Sequence, residues 1–152
     1  MGVAGWGLYN PEVTFDIIAD GVHVRPEMLS LACNVKSPDK VSLISDSVAP
    51  TGLGDGEFAL WGEKISVING KTQNERGSIA GSVCTMHDGV RMMRSLGFSD
   101  VDIAKMASTN PARLLGIDSD RGSIEVGKRA DLVVIDPDGD IKMTMIGGKI
   151  VE

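Results

Sequence analysis

Cysteine, histidine, aromatic side chains and positive charge are all scarce in this chain, and each shortage excludes a class of function. Its 152 residues include two cysteines. Cys33 and Cys84 lack the close spacing of a disulfide framework or a thiolate metal site. Cys33 falls in a helical pattern and reads as a small buried hydrophobe, which fits a reducing cytoplasm. The two histidines, His23 and His87, form no His-x-His or His-Glu-x-x-His pattern, so no recognisable motif assembles a three-ligand catalytic zinc site. A net charge of −6 leaves no basic footprint for nucleic acid, and two Trp, one Tyr and three Phe are too few for base-stacking platforms. No stretch approaches the roughly 18 apolar residues of a membrane span. No basic segment followed by an apolar one marks a signal peptide. Met1-Gly2 opens like a myristoylation signal, but Trp6 stands where Ser or Thr is required. Neither nucleic acid nor a membrane is expected as a partner.

What is present fits one ordinary soluble domain with a real core: 42% hydrophobic and 24% charged residues. Nineteen glycines exceed the usual share of about 7% and predict many tight turns. Residues 1–12 are Gly-rich and without periodicity. Residues 15–19 (Phe-Asp-Ile-Ile-Ala) and 41–44 (Val-Ser-Leu-Ile) read as buried strands. Between them residues 26–36 read as a helix that opens on Pro26, with Met28, Leu31, Ala32 and Val35 at helical spacing. Residues 48–57 form a long Gly-rich loop, in which Gly54-Asp55-Gly56 is a turn. A small β excursion over 58–67 ends in the hairpin signal Asn69-Gly70.

Further along, the spacing predicts a helix over about 85–96, with Val90 and Met93 on one side and His87 at its start. A second begins at Ser99 and buries Ile103, Met106 and Ala107. Asn110-Pro111 is expected to end that helix and begin a short one over 112–115, closed by Gly116. From Gly122 the character changes to short strands, 131–136, 141–146 and 149–151, separated by Pro137-Asp138-Gly139-Asp140 and Gly147-Gly148 turns. Residues 1–120 thus read as repeated β/α units and 121–152 as part of an antiparallel β region.

The chemistry is expected where the two strands end. The first runs into Asp20-Gly21-Val22-His23 and the second into Ser45-Asp46-Ser47. If the strands are parallel, His23 and Asp46 emerge on the same edge, the carboxyl ends, where such folds place their sites. An Asp after a strand is often only a cap or turn former, and a His there can simply bond a backbone carbonyl. Asp46 leads into a Gly-rich loop rather than a helix, which weakens capping as its role. An Asp able to take a proton from water, beside a His able to polarise a carbonyl, suits hydrolysis of an amide or ester. The missing partner for that reaction is a metal that lowers the pKa of the attacking water. Ile79-Ala80-Gly81-Ser82 is a short run of mostly small residues that would let a ligand approach the backbone.

Three segments in order resemble the N-acetylglucosamine-6-phosphate deacetylase family of the amidohydrolase superfamily: residues 18–24, residues 45–52 and residues 79–86. Residues 107–116 and 122–134 (Gly-Ser-Ile-Glu-Val-Gly-Lys-Arg-Ala-Asp-Leu-Val-Val) fit as well, the latter being shared across the superfamily. The resemblance covers nearly the whole chain, but only the C-terminal portion of a family member. It implies an α/β fold, the C-terminal part of a (β/α)8 TIM-type barrel over residues 1–120, with strands of a small β-sandwich over 121–152.

It further implies a metal-dependent deacetylase that releases acetate and glucosamine 6-phosphate. Asp46 matches the catalytic Asp that takes the water's proton and delivers it to the leaving amine, and is a possible metal contact. His23 matches a substrate-binding His, and Ile79, Ala80 and Gly81 match a loop lining the sugar pocket. The family's cofactor is a divalent metal, here expected to be zinc. The family's Glu and two His metal ligands and its phosphate-gripping Arg have no counterpart in this sequence. The chain is therefore expected to need a missing N-terminal half or a homo-oligomer partner, and to be inactive alone. Two alternatives stand beside this: a non-catalytic module that binds sugar phosphate or serves assembly, and an amidohydrolase acting on a different amide.

Overall fold

Strand β1 (Phe15–Ile18) and strand β2 (Val41–Ile44) pair in parallel, Phe15 opposite Val41 and Ile18 opposite Ile44. This is the arrangement that the helix between them requires, since a parallel pair needs a crossover. The computed structural model describes residues 2–151. The crossover is α2 (Pro26–Lys36), with Pro26 in its first turn, Glu27 near its positive end and Lys36 near its negative end. A 3-10 turn (Pro38–Lys40) then leads into β2.

The buried stripe of α2 is Leu29, Ala32, Cys33 and Lys36, whereas Met28, Leu31 and Val35 are exposed. This corrects the face expected from periodicity. Two apolar stripes lie side by side on α2, and packing against the sheet selects the one that carries Leu29 and Cys33.

The Gly-rich opening segment holds a helix that its sequence conceals, α1 (Val3–Tyr9). Gly5 and Gly7 each cost about 1 kcal/mol of helix propensity, and α1 buries none of its own residues. It is held from outside, because the buried Lys36 ammonium donates to Gly7 O at 2.8 Å and also to Asn10 O at the helix end. A cation at the carbonyl end of a helix is favoured by the local dipole.

The excursion after β2 is a three-stranded antiparallel sheet, β3 (Gly56–Leu60), β4 (Glu63–Ile68) and β5 (Lys71–Asn74). Asn69-Gly70 turns the second hairpin as expected. Asp55 fastens it, accepting from Asn69 N at 2.6 Å and Gly70 N at 3.1 Å. The first hairpin turns on Trp61-Gly62, both with positive φ.

Helix α3 (Met86–Ser95) starts at a capping box in which Thr85 and Asp88 satisfy each other's backbone N–H groups. Its Met93 is fully buried. Helix α4 (Asp100–Ala104) passes through a π turn (Lys105–Thr109) into α5 (Asn110–Leu114). The expected break at Asn110-Pro111 does not occur. Asn110 N–H reaches back to Lys105 O, and this widened turn carries the chain past Pro111, which lies in the first turn of α5 where its missing N–H costs little.

The tail forms an antiparallel sheet, β6 (Leu132–Ile135), β7 (Ile141–Ile146) and β8 (Lys149–Val151). Its β6–β7 turn is tied to α3, with His87 Nε2 donating to Gly139 O at 2.6 Å and Arg94 Nη1 donating to Asp136 O at 3.0 Å.

The core lies on one face of the parallel pair: Ile17, Val41 and Leu43 from its strands, Leu29 and Cys33 from α2, Met93 from α3, and Ile103 and Met106 from the α4 region. Large apolar side chains elsewhere remain uncovered, among them Val3, Ile124, Val126, Val133 and Ile150.

Candidate active site

The ladder of β1 and β2 ends at Ile18 opposite Ile44, and Asp20 and Asp46 each stand two residues beyond it. The parallel register therefore carries Asp20, His23 and Asp46 to one edge. A third segment joins them, because Ser47 and Ser82 form a parallel bridge. In it Ser82 N donates to Asp46 O at 2.8 Å, and Val48 N donates to Ser82 O at 2.9 Å. Ser82 is buried, and its hydroxyl donates to Ser45 O at 2.5 Å. Backbone bonds together with serine hydroxyls thus fix the chain on both sides of Asp46.

Asp46 has φ of 50°, in the left-handed region that few non-glycine residues occupy. Such conformations persist only where the surroundings impose them, and they cluster at functional sites. Its side chain is exposed, free to face a ligand.

Gly81 lies directly against this corner with φ of 72°. A Cβ there would stand 2.4 Å from Val48 Cγ1 and 3.2 Å from Asp46 O, so the close approach demands glycine. The rest of the small-residue loop rests on β5: Thr72 Oγ1 donates to Gly81 O at 2.5 Å and accepts from Ala80 N at 3.2 Å. Ile79 is half exposed.

His23 does not stand alone, and sequence reading missed its partner. Its Nδ1 lies 2.7 Å from Asp20 Oδ2. The other carboxylate oxygen, Oδ1, accepts from Val22 N and His23 N, each at 2.9 Å. Burial pushes the Asp20 carboxyl upward, but the His23 ring and these two backbone N–H groups outweigh it and hold the group below its ordinary 3.8. The signal was available, since an Asp whose side chain bonds N–H groups two and three residues on is an Asx turn.

Cys84 follows Ser82 near the same edge, where burial first, then the charges of Asp88 and Asp20, push its thiol up to about 11. It is a protonated thiol at neutral pH, not a nucleophile. Among the described residues no group of three or more His, Cys, Asp or Glu could hold a metal ion. Asp46 offers one carboxylate, and a catalytic zinc needs about three protein ligands, so the described residues do not by themselves fit a metal centre.

A groove of about 780 Å³ opens elsewhere, between α3, the α4 region and the β6–β7 strands, lined by apolar residues such as Val90, Ile103, Leu132 and Ile141. None of Asp46, His23, Ile79, Ala80 or Gly81 lines it. It is a gap in packing between helices and sheet rather than part of this edge.

The chain is similar to known proteins over nearly its whole length. The profile of the amidohydrolase family matches residues 14–151. The chain is 37% identical over 150 residues to an N-acetylglucosamine-6-phosphate deacetylase of Bacillus subtilis (strain 168), covering 98% of this chain and 38% of that protein. It is 35% identical over 150 residues to a putative N-acetylgalactosamine-6-phosphate deacetylase of Escherichia coli (strain K12), covering 98% of this chain and 89% of that one. The crystal structure of N-acetylglucosamine-6-phosphate deacetylase from Thermotoga maritima superposes with a TM-score of 0.93 at 37% identity, over 98% of this chain and 41% of the other. Against the first and third of these proteins, the chain spans about two fifths of their length.

Proposed function

The chain belongs to the amidohydrolase family, and from that premise we propose that it forms the C-terminal part of a deacetylase that hydrolyses N-acetylglucosamine 6-phosphate to glucosamine 6-phosphate and acetate. The observation that carries this reading is the edge itself, where Asp46 and the Asp20-held His23 end neighbouring parallel strands beside a glycine-gated loop. The parallel pair and the bridged third segment are three successive strands of a (β/α)8 barrel in this reading, formed by residues 1–120. Residues 121–152 are strands of a small β-sandwich.

In the reaction, water adds to the acetyl carbonyl and the C–N bond breaks. Asp46 takes the water's proton and returns it to the leaving amine, a task for an exposed carboxylate at a strand end. His23 contacts the sugar or the acetyl oxygen. The Ile79-Ala80-Gly81 loop lines the sugar pocket, since a backbone without bulky Cβ substituents admits a ligand closely. Members of this family generally depend on a divalent metal, zinc in our reading, whose chemistry is to lower the pKa of bound water. Its ligands would come mostly from elsewhere than the described residues of this chain.

The partner is a complementary N-terminal part, or a further copy of the chain. Two features support a partner. The matched deacetylase structure is more than twice as long as this chain. The apolar side chains left uncovered on α1 and on the β6–β8 sheet are those that further structure would bury. Free, the β1 edge is also unpaired among the described residues, a liability that proteins cover.

The deciding assay measures acetate release from N-acetylglucosamine 6-phosphate by this chain with zinc, alone and mixed with the separately produced N-terminal part of a relative. Activity that appears only on mixing supports the reading. Deacetylation by the chain alone would overturn the need for a partner. Association with bound metal but no acetate release would leave a sugar-phosphate-binding module or a different amide, such as the galactosamine isomer named in the Escherichia coli relative.

A further inference from the structure

We propose that Asp20 is a positioning residue that keeps the proton of the His23 ring on Nδ1 and so makes Nε2 the atom the ring offers to substrate. What Nε2 then meets rests on the function proposed above; the placement of the proton does not.

A carboxylate only accepts hydrogen bonds, so an imidazole nitrogen 2.7 Å from it must carry the hydrogen. The hydrogen bond that the ring makes within the described residues runs through Nδ1. In the neutral ring Nε2 therefore carries a lone pair, and in the protonated ring it carries an N–H. Which nitrogen of a histidine faces its target is set in this way by the bond that the other one makes.

One carboxylate does two things here. Oδ2 orients the ring, while Oδ1 gathers the N–H groups of Val22 and His23 and so sets the loop from which the ring projects. The Asp20 side chain is 9% exposed and the His23 side chain 21%, so the carboxylate is the more buried of the two and the ring keeps some exposure. The turn into this loop uses Gly21 at φ of 72°, a left-handed conformation that favours glycine. Carboxylates behind metal-ligating histidines govern affinity or activity about 10- to 100-fold without touching the reacting atoms, and a loss of the same order is expected from a carboxylate behind a substrate-binding ring.

Nitrogen-15 NMR of the His23 imidazole, at a pH where the ring is neutral, tests the proton directly. The expected result is a protonated Nδ1 and bare Nε2 in the wild-type chain, and a proton moved to Nε2 in Asp20→Asn, whose side-chain oxygen still accepts the two backbone N–H groups while its NH2 donates to Nδ1. A proton on Nε2 in the wild type, or an unchanged tautomer in Asp20→Asn, overturns the proposal. A kinetic cycle in the reconstituted deacetylase separates positioning from bulk structure. Asp20→Asn is expected to lower kcat about 10- to 100-fold, and to cost nothing further when His23→Gln is already present. Losses that multiply would mean that Asp20 does not act through His23. Absence of activity in the wild-type mixture would count against the proposed function alone, with the tautomer result standing separately.

Discussion

Ser82 donates its backbone N–H to Asp46 O at 2.8 Å, so the third parallel segment is fastened to the main chain of the residue that carries the proposed proton transfer. Asp46 keeps its φ of 50° because neighbours on both sides hold its backbone. Among the described residues the exposed carboxylate takes no part in that scaffold. Position and chemistry are therefore separable at this residue, which makes its substitution informative.

Asp46→Asn should leave stability within about 0.5 kcal/mol of wild type, since the side chain is exposed and Asn tolerates the left-handed conformation as well as Asp does. In the reconstituted deacetylase the same change should cost about 10²- to 10⁴-fold in acetate release, the usual worth of a general acid–base. Urea unfolding and the acetate assay, run on one preparation, read the two quantities. A variant that keeps full activity would remove Asp46 from the chemistry.

Gly81→Ala should destabilise by about 1–3 kcal/mol, because its Cβ collides with the Val48 side chain and stands close to Asp46 O. Gly52→Ala is the control. It too has positive φ, 82°, but its Cβ would meet nothing within 4 Å. Both substitutions carry backbone strain, and only the first carries the collision. Equal losses in urea titrations of the two would show that the contact at Gly81 is not what the fold requires there.

The strand–helix–strand unit was legible because each of its parts agrees with its neighbours: apolar strands, Pro26 opening the helix, and a polar residue at each strand end. Where two signals compete, sequence alone picks poorly. On α2 two apolar stripes offer themselves, and only the sheet decides for Leu29 and Cys33 over Met28 and Val35. Pro111 is a strong stop signal, yet the π turn before it lets the helical chain continue. Helix α1 was invisible because its stabilising group, the Lys36 ammonium, lies far along the chain. At the site, Asp46 and His23 could be found as strand-end residues, but Asp20 reads as an ordinary turn former until its second oxygen is seen on the His23 ring.

Acid should erode the contribution of Asp20. Its carboxyl is held below 3.8 in the fold, so the unfolded chain binds the proton more readily. The stability it supplies is full above that unfolded value and is lost as pH falls through the lower folded one. Asp20→Asn lacks this dependence. The urea midpoint of the variant should therefore fall below wild type at pH 7, and the gap should narrow as the pH drops to about 3. A gap that stays constant or widens in acid would mean that the charged carboxylate does not stabilise the loop.

Lys36→Met removes an ammonium but keeps much of the buried stem, and it should release α1. Gly7 O and Asn10 O lose their charged donor, and α1 buries no residue of its own that would hold it in place. Once loose, its carbonyls return to water, so the global cost should be only about 1–3 kcal/mol. The local effect should be larger. The amides of Trp6 and Asn10, which bond to Gly2 O and Trp6 O at 2.9 Å each, should lose their protection from hydrogen exchange. Lys64→Met, on the exposed side of β4, should change neither measurement. Protected α1 amides in Lys36→Met would show that the helix is held by its own propensity, against the two glycines within it.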